Sequence, residues 1–239
     1  MRVTIVRAIR FVVLPAACIL GALCACGTVP VKQYYVLNYV PVQPANRLRA
    51  APYPFTVRVK ELDIEDAYSR PSIVYRQSPF ELRYYFYRLW AVKPSRMITD
   101  LIYKHLSTIS LVSGLVRRFD EGVKPDYELS GLIEAIEEYD SDQLWFAHIS
   151  FRLTMTRVSD GAVVYSKAFD NRKRVFNYSP DNVVREMSSV VEFIMDQAVL
   201  DLDAVFSKET PGAAGGPVAP PPDSGKAHSA GKTKGAGGD

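Results

Sequence analysis

The chain has 239 residues, with 29 Lys and Arg against 26 Asp and Glu, and its formal charge is +3. Residues 1–25 hold three arginines and no acidic residue, so the rest of the chain has 29 − 3 = 26 basic against 26 acidic residues. A neutral chain lacks the basic excess that binding to phosphate backbones requires, which argues against nucleic acid as a partner.

Residues 1–25 have the pattern of an export signal. The three arginines precede an apolar run over residues 11–23, which is shorter than the roughly 18 apolar residues of a membrane span. The run ends in Leu-Cys-Ala-Cys at positions 23–26, which resembles the lipobox of bacterial lipoproteins and predicts a lipid thioether on Cys26. A cut before Cys24, or an ordinary secretory cut after the alanine, fits less well because the leucine would stand where small residues are favoured. A plain secreted protein is the remaining alternative.

The predicted cleavage leaves no free thiol, because Cys18 and Cys24 depart with the signal and Cys26 carries lipid. The fold must therefore be stable without disulfides, and the roughly 170 residues that follow are enough for one core. We expect a lipidated tether over residues 26–33, one domain over 34–207, and a disordered Gly/Pro/Lys-rich tail over 208–239. The tether reaches at most about 23 Å.

Strand patterns come first along the domain. Residues 34–39 form a short strand candidate, and residues 55–59 alternate between apolar and polar side chains as in a half-buried strand. Residues 73–76 and 82–88 are rich in β-branched and aromatic side chains and are separated by Gln-Ser-Pro, which predicts a hairpin.

Two amphipathic helices are predicted. The first covers residues 95–110, where apolar side chains recur every three or four positions, and Gly114 is expected to mark its exit. The second covers residues 181–207, with Ser179 as N-cap and Pro180 at the first helical position. Its apolar stripe comprises Val184, Met187, Val191, Ile194, Ala198 and Leu202.

The strongest strand signal lies between the helices. Six alternate residues from Trp145 to Met155 are apolar, and a similar alternation precedes them at residues 127–135. A turn containing Gly161 then predicts a hairpin whose three-residue loop opposes Phe151 to Phe169. The element order predicts an α+β fold, a single domain in which both helices pack on one face of a mostly antiparallel sheet.

The sequence offers no recognisable catalytic or metal-binding motif. The three histidines, His105, His148 and His228, have no metal-ligand spacing, and no nucleophile elbow or phosphate-binding glycine loop is present. The acidic residues that follow the first long strand are interpreted as a solvated rim rather than as paired catalytic carboxylates. They are Glu134, Glu137, Glu138, Asp140 and Asp142.

Two stretches are candidate interaction surfaces. In the aromatic run over residues 84–90, one pair of side chains is expected in the core and the other in an interface, although a fully structural role is an equal alternative. A basic stretch after the hairpin could steer a partner, or be surface charge without a role. The predicted interaction residues are Tyr85, Tyr87, Trp90, Arg172, Lys173 and Arg174.

Several short motifs occur in a characteristic order after the lipobox: Tyr34-Tyr35-x-Leu37, Pro71-x-Ile73-Val74-x-Arg76, Leu82, Trp90-Ala91 and the first amphipathic helix. In this order the chain resembles the auxiliary lipoproteins of ABC-type transport systems, the family that includes the paraquat-inducible (Pqi) operon lipoprotein. The resemblance covers roughly residues 34–206, and the tail lies outside the family pattern.

The resemblance implies an outer-membrane lipoprotein that accompanies a mammalian-cell-entry (MCE) domain protein in intermembrane lipid transport. It implies no catalytic residue and no cofactor besides the covalent lipid (palmitate among its acyl chains) on Cys26, and it leaves a homo-oligomer possible. Gly27, in place of the aspartate that retains enteric lipoproteins at the inner membrane, agrees with the outer membrane. The alternatives are an envelope-assembly lipoprotein, such as an activator of cell-wall synthesis, and a lipid-anchored hydrolase, which would need an activated nucleophile.

Overall fold

A computed structural model of the chain describes residues 30–43, 51–117, 122–141 and 144–210. The predicted signal peptide, Cys26, Asp142 and tail residues 211–239 lie outside these ranges, and the predictions made for them stay predictions.

Within the described residues, nine strands form one mixed sheet, accompanied by two α-helices and a short 3-10 turn at Asp66–Tyr68. The strands are β1 (Gln33–Tyr35), β2 (Tyr53–Val59), β3 (Asp63–Ile64), β4 (Ser72–Ser78), β5 (Glu81–Trp90), β6 (Val112–Arg117), β7 (Tyr127–Ser141), β8 (Leu144–Arg157) and β9 (Val163–Val175). The helices are α1 (Pro94–Ile109) and α2 (Pro180–Glu209).

The long strand β7 organises the sheet. One of its edges pairs antiparallel with β8 along its whole length, and β8 pairs antiparallel with β9. Its other edge takes three strands in succession, all parallel to it: β2 at residues 127–129, β3 at 132–133 and β4 at 137–139. Beyond these, β6 lies beside β2, while β5 and then β1 lie beside β4.

The expectation of a mostly antiparallel sheet is wrong. Five of the eight strand pairings are parallel, namely β1–β5, β2–β6, β2–β7, β3–β7 and β4–β7. The alternation of side chains indicates which face of a strand is buried, but it does not indicate which distant strand lies beside it or in which direction. The predicted local hairpins, β4–β5 and β8–β9, do form.

Both helices pack on the same face of the sheet, as predicted. Residues of α1, of α2 and of the sheet line one small interior gap there, among them Leu106, Leu202 and Met155. The α+β class and the predicted stripe of α2 are confirmed, because all six stripe residues are buried. We call the sheet surface that carries the helices the helix face, and the opposite surface the outer face.

The helix boundaries follow their local signals with one exception. The hydroxyl of Ser179 accepts a hydrogen bond from the N–H of Asn182 at 3.1 Å, which is the predicted N-cap of α2. Helix α1 ends instead at Ser110, whose φ of 54° places it in the left-handed region. The predicted exit residue Gly114 lies four residues later, within β6.

The β8–β9 hairpin has the predicted register, with Phe151 opposite Phe169. Its turn is closed by hydrogen bonds from the N–H of Arg157 to the carbonyl of Ala162 and from the N–H of Gly161 to the carbonyl of Arg157. Gly161 has a φ of 72°, as a turn of this kind requires. The predicted three-residue loop is wrong, because the Arg157–Ala162 bond encloses the four residues 158–161, and a bulge at Val164 restores the predicted register.

The N-terminal strand is shorter than predicted, because β1 ends at Tyr35. The chain then lies against the two helices: the N–H of Asn38 donates to the hydroxyl of Ser188 at 3.1 Å, and the buried Tyr39 hydroxyl lies 3.2 Å from Nδ1 of His105. In this stretch alternate side chains are buried against the helices instead of within the sheet. The resulting alternation resembles that of a strand, and it therefore suggested a longer β1.

Gly131, in β7, lies where the sheet leaves no room for a side chain. A Cβ atom there would collide with the backbone carbonyl of Arg152 and press on Leu153 and Leu62. We expect Gly131→Ala to lower the free energy of unfolding by about 1–3 kcal/mol, because the obstacle is backbone that cannot turn aside. Urea denaturation measures this as a lower midpoint. Gly122→Ala is the matched control, since a Cβ at Gly122 meets nothing within 4 Å; equal midpoints for the two variants would contradict the prediction.

Candidate functional site

A bulge in β7 determines where its acidic residues lie. The pairing with β8 shifts between Ile133 and Ala135, so that Glu134 has no partner. Because side chains alternate along a strand, the bulge reverses which residues face the helices. Alternation alone puts the neighbours Glu137 and Glu138 on opposite faces, and the bulge decides that Glu138 is the one that faces the helices; both are buried, with only 1% and 2% of their surface exposed.

On the outer face, Glu137 is the centre of a hydrogen-bonded group that we call the Glu137 cluster: Tyr68, Arg76, Glu137, His148 and Asp170. The carboxylate accepts hydrogen bonds from Nε of Arg76 at 2.9 and 3.1 Å and from the Tyr68 hydroxyl at 2.6 Å. Nδ1 of His148 lies 3.0 Å from the same carboxylate, and its Nε2 lies 2.7 Å from Oδ1 of Asp170.

The cluster favours the charged form of Glu137. Burial by itself raises the pKa of this carboxyl, but the hydrogen bonds from His148, Arg76 and Tyr68 together outweigh burial and hold the pKa below its usual value. Burial, with the hydrogen bond to Glu137, raises the pKa of Tyr68 to about 12, so its hydroxyl remains a donor. Both ring nitrogens of His148 lie within hydrogen-bonding distance of carboxylates, so neither lacks a partner.

The Glu137 cluster forms the floor of an open cleft of about 340 Å³ on the outer face. Ser150 and Glu134 lie in its wall, and the Ser150 hydroxyl donates to Glu134 at 2.9 Å. Arg172 lines the cleft, with its guanidinium carbon 5.1 Å from the ring centre of Tyr139. The polar groups of the floor are hydrogen-bonded to one another, so the cleft presents a preformed charged surface.

A second group lies on the helix face, around Glu138. The Tyr85 hydroxyl donates to this carboxylate at 3.2 Å and lies 3.0 Å from the Tyr178 hydroxyl, to which Nη1 of Arg88 donates at 2.9 Å. Burial raises the pKa of Glu138 despite hydrogen bonds from Tyr178 and Tyr85 and the nearby charge of Arg88. Two adjacent glutamates in one strand thus have pKa values shifted in opposite directions.

The described part of the chain has neither a metal-binding group nor a membrane-crossing helix. No set of three or more His, Cys, Asp or Glu side chains within it is arranged to hold a metal ion. No helix within it combines the length and the apolar character that a bilayer crossing requires.

The family model for the ABC-type transport auxiliary lipoprotein component matches residues 35–199, which include the whole of the outer-face cleft. The chain belongs to this family. No curated protein matches this auxiliary lipoprotein.

Two solved structures resemble the auxiliary lipoprotein in fold. Protein XCC0632 from Xanthomonas campestris is 17% identical and superposes with a TM-score of 0.65, covering 74% of this chain and 98% of that one. A crystal structure titled as an uncharacterized protein is 15% identical, with a TM-score of 0.57, and covers 72% of this chain and 99% of that one. At these identities the likeness shows a shared fold and nothing about partners.

The aromatic run of the auxiliary lipoprotein is divided between interior and surface. Trp90 is 3% exposed and belongs to the core, so the structure removes it from the predicted interaction surface. Tyr85 is half-buried in the Glu138 group. Tyr87 is 42% exposed and Phe86 is 83% exposed, because β5 bulges between its pairings at Tyr84 and Leu89. The bulge, which sequence alternation does not indicate, decides which aromatic side chains reach the surface.

The three basic residues of the auxiliary lipoprotein do not form one surface. Arg172 and Arg174 lie on the outer face, where Arg174 stacks over Phe176 at 4.9 Å. Lys173 points to the helix face, where it forms a 2.8 Å ion pair with Glu186. Strand alternation separates neighbours in this way. Of the three, only Arg172 lines the cleft.

The interpretation of the acidic stretch as a solvated rim is wrong for Glu137 and Glu138, which are buried. Their partners Tyr68, Arg76 and Tyr178 were not identified from the sequence, since they come from distant segments. One signal was available: the strand pattern slips between Ile133 and Ile136, which places apolar residues on both sides of a bulge. The sequence therefore contained a sign of the bulge but not of the groups that surround each carboxylate.

Proposed function

We propose that this auxiliary lipoprotein is a non-enzymatic docking component of an ABC-type intermembrane lipid transport system. In this proposal acyl chains on Cys26 hold it on the periplasmic face of the outer membrane, and its partner is an MCE-domain protein. The observation that carries the proposal is the family match, which spans nearly the whole folded domain. Outer-membrane anchoring is supported by Gly27 after the lipid-bearing cysteine.

The geometry of the cleft favours recognition over catalysis. A hydrolase that uses a serine nucleophile with a histidine base would need a free ring nitrogen to activate the hydroxyl. Here both nitrogens of His148 are engaged by carboxylates, and the nearby Ser150 hydroxyl donates to Glu134. A preformed set of satisfied polar groups suits a surface that a partner contacts without chemical change.

Within this function, Arg172 is the residue that we assign to partner contact. It is exposed and lines the cleft, and the Tyr139 ring supports its guanidinium. Arginine held in this way offers planar donors to a carboxylate or carbonyl group of a partner, and it is common among residues that dominate interfaces.

We expect Arg172→Ala to reduce capture of the MCE-domain protein about tenfold, which corresponds to ~1.4 kcal/mol. The measurement is affinity purification of the lipidated protein from detergent extracts of native membranes, with bound proteins quantified by mass spectrometry. Arg185→Ala is the matched control, because it removes an exposed arginine from α2 on the helix face and should leave capture unchanged.

The same purification distinguishes the alternative function. Recovery of a cell-wall synthase in place of transport components would favour an envelope-assembly lipoprotein. Equal capture by the two arginine variants would keep the docking function but move the contact away from the cleft.

A further inference from the structure

One end of the sheet carries two exposed phenylalanines. Phe80 lies in the β4–β5 turn and Phe176 directly follows β9. The strand register shows that they lie at the same end. Four residues that pair with one another across neighbouring strands form a row close to that end, and both phenylalanines lie beyond this row. The row is Arg76, Tyr139, Phe146 and Arg174. Phe80 lies four residues beyond its first member and Phe176 two residues beyond its last. We call this end of the sheet the end face.

Two phenylalanines and two arginines at the end face suit a membrane interface, while Asp140 of β7 is an acidic residue at the same end. Phe80 is 98% exposed and Phe176 is 68% exposed, so neither ring packs in the hydrophobic core. Arg174 stacks on the Phe176 ring, and Arg83 pairs with Glu81 at 2.7 Å, which neutralises the acidic side chain beside Phe80. Aromatic rings beside arginines suit the boundary between headgroups and acyl chains.

The N-terminal segment leads from the domain toward this same end. Strand β1 runs parallel to β5, with Gln33 beside Arg88. Strand β5 begins at the end face, so the residues that precede Gln33 continue toward it. Val31, which is 80% exposed, adds apolar surface along this path.

The length of the segment matches the distance to the end face. Gln33 pairs with Arg88, and the next residue, Leu89, pairs with Ser72 of β4. From Ser72 to Ser78, at the end face, β4 rises about 20 Å over six residues. The seven residue-to-residue steps from Cys26 to Gln33 reach at most about 23 Å. The segment is therefore long enough for a lipid on Cys26 to reach the level of the end face. The opposite end of β7 lies in the other direction.

We propose that the end face rests on the bilayer leaflet that holds the lipid of Cys26, with Phe80 and Phe176 inserted at the level of the headgroups. This inference rests on lipid attachment at Cys26 but not on the identity of the transport partner. A second contact beside the anchor would fix the orientation of the domain, which a tether alone does not.

Tryptophan emission tests the proposal in the complete lipidated protein. Phe80→Trp places an indole at the end face, and the native Trp90 is buried. The half-buried Trp145, which pairs with Val175 at the same end, is replaced by Phe in every variant. In phosphatidylethanolamine–phosphatidylglycerol vesicles, we expect the added emission to shift to the blue and to fall about twofold when the acyl chains are brominated. Phe193→Trp is the matched control, because Phe193 is 50% exposed on α2, away from the end face; its emission should not change.

Quenching at position 80 with none at position 193 supports the proposal. No quenching at position 80 in protein that floats with the vesicles overturns it, as does equal quenching at both positions. Failure to float would refute the lipid anchor and this inference together, whereas loss of the MCE partner in the purification described above would leave it unaffected.

Discussion

Replacing Glu137 by glutamine is expected to lower the free energy of unfolding by about 3–5 kcal/mol, the usual result of removing one member of a buried ion pair. Replacing the adjacent Glu138 in the same way should change it by less than about 1 kcal/mol. The two residues are equally buried, and so the contrast isolates the effect of their surroundings.

The reason lies in the number of donors. Arg76 and Tyr68 donate to the carboxylate of Glu137, Nδ1 of His148 lies 3.0 Å from it, and Arg76 brings a positive charge. A glutamine side chain has one acceptor oxygen, and its NH₂ group would point at the donors that the second carboxylate oxygen now accepts from. The partly buried guanidinium of Arg76 would also lose the negative charge that compensates it. Glu138 receives hydrogen bonds from the neutral hydroxyls of Tyr178 and Tyr85, which an amide oxygen also accepts.

The pH dependence of the two variants should differ in sign. The pKa of Glu137 is lowered in the folded state, so its contribution to stability is present above the ordinary value of 4.5 and is lost as pH falls through the folded pKa. The pKa of Glu138 is raised, so its contribution is present at acid pH and is lost as pH rises from 4.5 through the folded pKa. Relative to wild type, Glu138→Gln should therefore gain stability as pH rises, and Glu137→Gln should lose it.

Urea unfolding followed by circular dichroism, at a series of pH values, measures both effects. Equal destabilisation by the two glutamines at neutral pH would contradict the assignment of opposite environments. So would a wild-type protein that keeps all its stability, relative to Glu137→Gln, when the pH is lowered through the acid range.

Truncating Phe206 is the second change expected to have a large effect. Its ring is 1% exposed and lies 5.5, 5.5 and 5.2 Å from the ring centres of Tyr53, Phe55 and Tyr127. These rings come from β2 and β7, so Phe206 attaches the C-terminal part of α2 to the sheet. We expect Phe206→Ala to lower the free energy of unfolding by about 3–5 kcal/mol through lost burial and the cavity left behind.

Phe193→Ala is the control for this prediction, because it removes the same ring from a half-exposed position of the same helix and should cost less than about 1 kcal/mol. The unfolding midpoints of the two variants provide the comparison. A loss below about 1 kcal/mol for Phe206→Ala would mean that the helix end is held by other contacts, such as the hydrogen bond from the Tyr53 hydroxyl to the carbonyl of Asp203.

Local signals in the sequence predicted both helices and most strands, but not β3 or β6. Ser179 and Pro180 placed the start of α2, Gly161 and the flanking alternation placed the β8–β9 hairpin, and the register Phe151–Phe169 followed from keeping a carboxylate out of the core. These features depend on neighbours within a few residues, where periodicity and capping chemistry are sufficient.

The sequence by itself determined the types of most elements, the buried stripe of each helix, the family resemblance and the hairpin register. Only the tertiary structure decided the parallel placement of β2, β3 and β4 along β7, which of Glu137 and Glu138 faces the helices, and the common end of the sheet reached by Phe80, Phe176 and the N-terminal segment. Strand pairing across dozens of residues and a one-residue bulge are fixed by the packing of the whole sheet, because each strand alone satisfies its periodicity equally well beside several partners.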